Sequence, residues 1–158
     1  TVISEFCLTR RVQFYETDAA GIVHFSVFFR YMEEAEHAMW RAAGLNIAPQ
    51  DAQVGFPRVA AGFEFFKPLR FPDEFEVHLQ ITRKSTKSLS YSATIVKNGQ
   101  TAARGTLSVA CVSSCPGKPM RDIKRPARVN ESQVQRYGKF IKVKNDIIPC
   151  VGQTFQKS

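Results

Sequence analysis

One amphipathic helix has to cover a whole sheet in this chain. From Ser26 to Ala43 the residues Phe28, Tyr31, Met32, Ala35, Ala38, Met39 and Ala42 recur three or four apart, which stacks them on one helical face. Ser26 stands where an N-cap belongs, and Gly44 follows the last periodic residue as a stop. Other segments alternate instead. Val12 and Phe14 alternate with Arg11 and Gln13 in a first strand running from Ser4 to Tyr15. Arg58 to Phe66 is strand-like and ends at Lys67-Pro68. Phe75, Val77, Leu79 and Ile81 alternate with Glu74, Glu76, His78 and Gln80, and Leu89, Tyr91, Ala93 and Ile95 with Ser90, Ser92 and Thr94. Asn98-Gly99 is a hairpin turn whose residues both tolerate positive φ, and it returns the chain along Gln100 to Ser113, with Leu107, Val109 and Cys111 on one face. Short links make the pairing antiparallel. The sheet must bury its apolar face, and the Ser26–Ala43 helix is the only long one available. The fold class is α+β.

Composition fits one domain. The chain has 158 residues, 44% of them hydrophobic with thirteen Phe, enough for a packed core rather than a disordered chain. No apolar run approaches the roughly 18 residues a membrane helix needs, and no secretory signal pattern opens the sequence. The net charge of +8 is uneven: the helical half is balanced, while 83–87 and 118–144 are basic. A solvated surface or an anionic small-molecule ligand accounts for this. Nucleic acid does not, because no basic helix, RNA-stacking motif or zinc-finger spacing is present. The four cysteines, Cys7, Cys111, Cys115 and Cys150, contain no Cys-x-x-Cys pair, so no metal and no disulfide framework is expected. Reduced thiols and a cytoplasmic location follow. No histidine stands beside a cysteine in a way that would make a nucleophile.

The chemistry concentrates in Tyr15 to Ala35, Y-E-T-D-A-A-G-I-V-H-F-S-V-F-F-R-Y-M-E-E-A. A strand ends, a loop turns at Asp18 and Gly21, and the helix begins. A carboxylate is thus held within a few residues of a helix N-terminus, whose unpaired N–H groups attract negative charge. An acid or base beside an oxyanion site is the minimum equipment for hydrolysing an acyl bond. Asp18 is equally suited to forming the turn, and the residues alone leave both roles open.

T-D-A-A-G-I-V-H-F followed by F-F-R-Y-M-E-E-A resembles the signature of the 4-hydroxybenzoyl-CoA thioesterase group of hotdog-fold proteins. F-K-P-L-R-F-P-D-E-F, T-K-S-L-S-Y and the hairpin at Lys97-Asn98-Gly99-Gln100 follow in the family's order. The resemblance spans roughly Thr9 to Arg128. It implies a curved antiparallel sheet wrapped around one long central helix, assembly into dimers or dimers of dimers, and hydrolysis of acyl-CoA thioesters. It places Asp18 at the catalytic carboxylate, as nucleophile or general base. The backbone amide of Phe25 becomes the group that polarises the thioester carbonyl, with Gly21 shaping the loop. His24 would line the substrate. Lys87 and Ser88 fall where the family contacts the CoA nucleotide, with exposed turn charge as the alternative. Glu33 matches the family's helix glutamate and reads as a buried hydrogen-bonder, whereas Glu34 and Glu36 read as solvated.

No cofactor is implied, since CoA is part of the substrate. The competing readings are a thioesterase acting on carrier-protein esters, for which a basic surface suits an acidic partner, and a non-catalytic acyl-CoA-binding hotdog module. Residues 1–128 form the expected domain, and 129–158, where periodicity is lost, a peripheral or disordered tail.

Overall fold

The computed structural model describes residues 5–45, 54–85 and 88–113. In chain order these form β1 (Glu5–Arg11), α1 (Val27–Ala42), β2 (Val54–Gly55), β3 (Arg58–Phe65), β4 (Glu74–Lys84), β5 (Ser88–Lys97), β6 (Gln100–Ala110) and β7 (Val112–Ser113). The main sheet is antiparallel with order β1-β4-β5-β6-β3, and β2 pairs with β7 in a separate two-stranded ribbon. This is the expected curved hotdog sheet with one covering helix. The tail from Val129 onward, and Lys87, lie outside the described residues.

Alternation sets which face is covered. On β4, Phe75, Val77, Leu79 and Ile81 are buried, and on β5 so are Leu89, Tyr91, Ala93 and Ile95. They meet Phe28, Tyr31, Met32, Ala35 and Met39 of α1, with the Tyr31 and Phe75 rings 4.7 Å apart. Removing one such aromatic side chain costs about 3–5 kcal/mol. The helix is rotated from the expected face, however. Ala42 is exposed, whereas Glu36 and Trp40 are buried. The stripe that counts is 28, 32, 36 and 40, because Trp40 packs on Phe56 and its indole N–H donates to the Tyr91 hydroxyl at 2.9 Å.

The turns behave as their residues dictate. Asn98 and Gly99 take φ of 50° and 71°, the left-handed pair a two-residue hairpin requires. Gly44 ends α1 at φ 75°. Opposite Phe63 on β3 lies Gly105 on β6. The Phe63 ring covers the glycine so closely that a Cβ built there would lie 2.5 Å from its tip, and Phe28 and Phe29 hold the ring from behind. The return strand ends sooner than expected, with Cys111 interrupting it between β6 and β7.

Candidate active site

The segment joining β1 to α1 closes around a buried carboxylate. Val12 is fully buried and its N–H donates to the Asp73 carbonyl at 2.9 Å. The expected strand does not continue to Tyr15. A single 3-10 turn over Phe14–Glu16 replaces it, because the Glu16 carboxylate captures the Gln13 N–H at 2.8 Å. Phe14 and Tyr15 consequently stand in solvent, 74% and 78% exposed. Glu16 is buried, and Arg10 and Tyr31 complete its partners, the guanidinium at 2.7 Å and the hydroxyl at 2.8 Å. Three donors offset the desolvation of a charge that would otherwise cost several kcal/mol. Arg10 also pairs with Glu34 at 2.6 Å and lies 4.6 Å from the Tyr31 ring centre. Burial, together with the Glu16 contact, pushes the Tyr31 hydroxyl far above its ordinary pKa, so it serves as a neutral donor.

Beyond Glu16 the chain folds back on itself. Thr17 pairs with Val23, the Asp18 N–H donates to the Ile22 carbonyl at 2.9 Å, and the His24 N–H to the Glu16 carbonyl at 3.0 Å. Val23 is buried and its N–H reaches the Leu69 carbonyl at 2.8 Å, which ties the loop to the entrance of β4. At the tip, Asp18 is exposed. Its Oδ1 accepts the Ala20 N–H at 2.8 Å, and Oδ2 accepts no hydrogen bond among the described residues. Gly21 takes φ 72°, and its carbonyl accepts from Arg70 at 3.3 Å.

Entry into α1 differs from expectation. Ser26 is already helical, at φ −66° and ψ −24°, and its side chain caps no helix amide. Instead the Ser26 hydroxyl lies 2.7 Å from His24 Nδ1, and the Ser26 N–H points at the same nitrogen at 3.3 Å. The imidazole takes over the capping position. Phe25 stacks at 4.4 Å on the His24 ring and is 61% exposed. Its N–H donates to no acceptor among the described residues. Nearby, Phe14 and Phe71 meet edge to face at 5.8 Å, both exposed.

Asp18, Gly21, His24 and Phe25 therefore share one loop. Ser88 does not join them. It opens β5, where its hydroxyl lies 2.8 Å from that of Ser85 across the β4–β5 turn. The eleven residues of β4 separate this turn from the Asp18 loop, a span of about 35 Å at the rise of an extended strand. Arg83 and Lys84 are exposed at the same far end.

The helix carboxylates are exchanged relative to expectation. Glu33 is half exposed and pairs with Arg58 at 3.2 Å, whereas Glu36 is fully buried, with Arg58 on its Oε2 at 2.5 Å. Glu36 Oε1 has no hydrogen-bond partner among the described residues. Burial outweighs the Arg58 charge and pushes the Glu36 carboxyl up to about 7. Its place on the 28-32-36-40 stripe was the sequence signal.

A family model described as the thioesterase-like superfamily matches residues 12–135. The chain belongs to that superfamily. This thioesterase is 30% identical over 119 residues to a 1,4-dihydroxy-2-naphthoyl-CoA hydrolase of Prochlorococcus marinus (strain NATL1A), covering 70% of this chain and 78% of the relative. A solved gentisyl-coenzyme A thioesterase superposes with a TM-score of 0.64 at 30% identity, over 68% of this chain and 87% of its own. A hypothetical protein from Aquifex aeolicus gives 0.66 at 38% identity, over 68% and 88%. Among the described residues of the thioesterase, no helix is long and apolar enough to cross a membrane.

Glu16 is the residue that sequence reasoning passed over in the thioesterase's loop. It lies two positions before Asp18 and reads as ordinary surface charge until Arg10 and Tyr31 are folded onto it. Glu three residues after Gln13, where it can bond back to that amide, was the available signal.

Proposed function

We propose that this thioesterase hydrolyses acyl-CoA esters, with Asp18 as the catalytic carboxylate and the Phe25 N–H as the donor to the carbonyl oxygen. The carrying observation is the state of Asp18: exposed, anchored through Oδ1 by Ala20, with Oδ2 uncommitted, on a loop that runs directly into α1. As a base, Oδ2 takes a proton from water while the oxygen attacks the thioester carbon. The negative charge forming on the carbonyl oxygen meets the Phe25 amide, the C–S bond breaks and the CoA thiolate leaves. As a nucleophile, Oδ2 itself forms the C–O bond, the C–S bond breaks with loss of the CoA thiolate, and water hydrolyses the resulting mixed anhydride to free acid and Asp18 carboxylate. A fixed amide donor of this kind is worth roughly 3 kcal/mol elsewhere. Neither route requires a cofactor, and the cytoplasm is the compartment proposed for the reaction. Gly21 holds the loop geometry, and His24, occupied with Ser26, lines the entrance.

An aromatic acyl group suits the exposed Phe14, Phe25 and Phe71 better than a flexible chain does, and two of the relatives, the 1,4-dihydroxy-2-naphthoyl-CoA hydrolase and the gentisyl-coenzyme A thioesterase, are named for aromatic esters. The nucleotide end of CoA belongs at Lys87 and Ser88. Because Ser88 lies a whole strand away from Asp18, one CoA cannot reach both within one chain, and the second contact comes from a partner copy. Among the described residues β3 is an edge strand of the main sheet, on which two sheets can join about a two-fold axis, giving a dimer or a dimer of dimers.

Hydrolysis rates over aromatic, short-chain and long-chain acyl-CoAs test this reading. Preferential turnover of hydroxylated aromatic esters is expected. Activity confined to carrier-protein esters would favour the alternative that the net charge of +8 supports, and binding without turnover would reduce the protein to an acyl-CoA-binding module.

A further inference from the structure

The register of β1 on β4 gathers three unlike donors on the sheet face turned away from α1. Cys7 pairs directly with His78, and Glu76 lies two residues along β4 on the same face. Phe75, Val77 and Leu79 bury the opposite face, so 76 and 78 point outward. The sequence separates Cys7 from His78 by 71 positions, and only strand pairing brings the thiol and the imidazole together. Cys7 Sγ is 3.9 Å from His78 Nε2, and Glu76 Oε2 is 2.7 Å from the same nitrogen. All three donor atoms lie within 4.8 Å of one another, and all three residues are half-buried.

A thiolate–imidazole–carboxylate relay would need the two ring nitrogens to face different partners. Here thiol and carboxylate converge on one nitrogen, so no relay forms, and three donor atoms of metal-ligating type are gathered within reach of a single ion. A tetrahedral site with Zn–S of about 2.3 Å and Zn–N of about 2.0 Å sets S···N near 3.5 Å. From the present distances the thiol closes by a few tenths of an ångström, and the Glu76 oxygen, now 2.7 Å from the same nitrogen, moves out to about 3.3 Å as the ion enters between them.

We propose that Cys7, Glu76 and His78 bind a borderline divalent cation, Zn²⁺ foremost, with the fourth position open to water. Thiolate plus imidazole selects against Mg²⁺ and Ca²⁺, which take oxygen ligands. Binding releases the Cys7 thiol proton and requires the His78 proton on Nδ1, so affinity rises with pH. The ion would clip the edge strand β1 to β4, a structural role on the face remote from α1.

The test uses the full-length chain, stripped with chelator and titrated with Zn²⁺ or Co²⁺ alone. A variant with Cys111→Ser, Cys115→Ser and Cys150→Ser retains Cys7 as its only thiol. It is expected to take up one Co²⁺ per chain with a thiolate charge-transfer band, and to melt at higher temperature with Zn²⁺. Adding Cys7→Ser should abolish both effects, and His78→Gln should weaken Zn²⁺ binding by about tenfold or more. A three-serine variant that takes up no metal overturns the proposal. So does a charge-transfer band or Zn²⁺ affinity that survives Cys7→Ser or His78→Gln in folded protein.

Discussion

The Tyr31 hydroxyl donates to Glu16 Oε2 at 2.8 Å, a direct side-chain bond from the central helix to the loop that presents Asp18. Tyr31→Phe keeps the ring packing and removes the donor, so a loss of about 1–2 kcal/mol is expected. Glu16→Ala should cost about 3–5 kcal/mol, because it also leaves the Gln13 amide and the Tyr31 hydroxyl unpaired and Arg10 with only the exposed Glu34. Urea denaturation of the two variants checks the order, and equal losses would contradict it.

Asp18→Asn preserves shape and the contact with Ala20 but removes the charge. If Asp18 serves only the turn, stability changes by about 1 kcal/mol or less and turnover persists. We expect kcat on the best acyl-CoA to fall about 10²- to 10⁴-fold, with melting temperature and substrate binding preserved. Turnover near the original rate in folded protein would assign Asp18 to the turn alone.

Lys87→Glu should raise KM for acyl-CoA with little change in kcat. Phosphates remote from the reacting carbon bind similarly in ground and transition states, so their loss is uniform. Salt should weaken binding in the parent more than in the variant. An unchanged KM would move the nucleotide site elsewhere.

Glu36 gives a pH dependence whose sign is fixed. Folded, it keeps its proton to about pH 7, against a usual value of 4.5. Below 4.5 both states are neutral there and the group costs nothing. As pH rises from 4.5 to 7 the unfolded chain ionises first, so the folded state loses stability, by an amount on the order of 3 kcal/mol. Above 7 the loss is complete and constant. Glu36→Gln should remove this component, so urea midpoints from about pH 4 to 8 should converge on the parent at the acid end.

The helix, the antiparallel strands, the Asn98-Gly99 hairpin and the Asp18 loop were legible because each rests on local pattern. Val77 or Tyr91 announces its burial through its neighbours two positions away. Glu16 and Glu36 carried only weak signals, the spacing from Gln13 and the 28-32-36-40 stripe, since a glutamate looks solvated until Arg10, six residues back, or Arg58, from another strand, folds onto it. Phe14 misled for the opposite reason: it continues the alternation of β1, but the bond from the Gln13 amide to Glu16 ends the strand first. The Cys7–His78 approach depends wholly on register, which no period in one strand reveals.

The ring of Phe63 lying over Gly105 constrains the order in which this lineage can change. Any side chain at 105 meets the ring within 2.5 Å while Phe28 and Phe29 block its retreat, so Gly105→Ala is harmful on its own. After Phe63→Leu or Phe63→Ala the same change has room and restores lost packing. Two substitutions that are tolerated together are thus separated by a step that is open in one order and closed in the other.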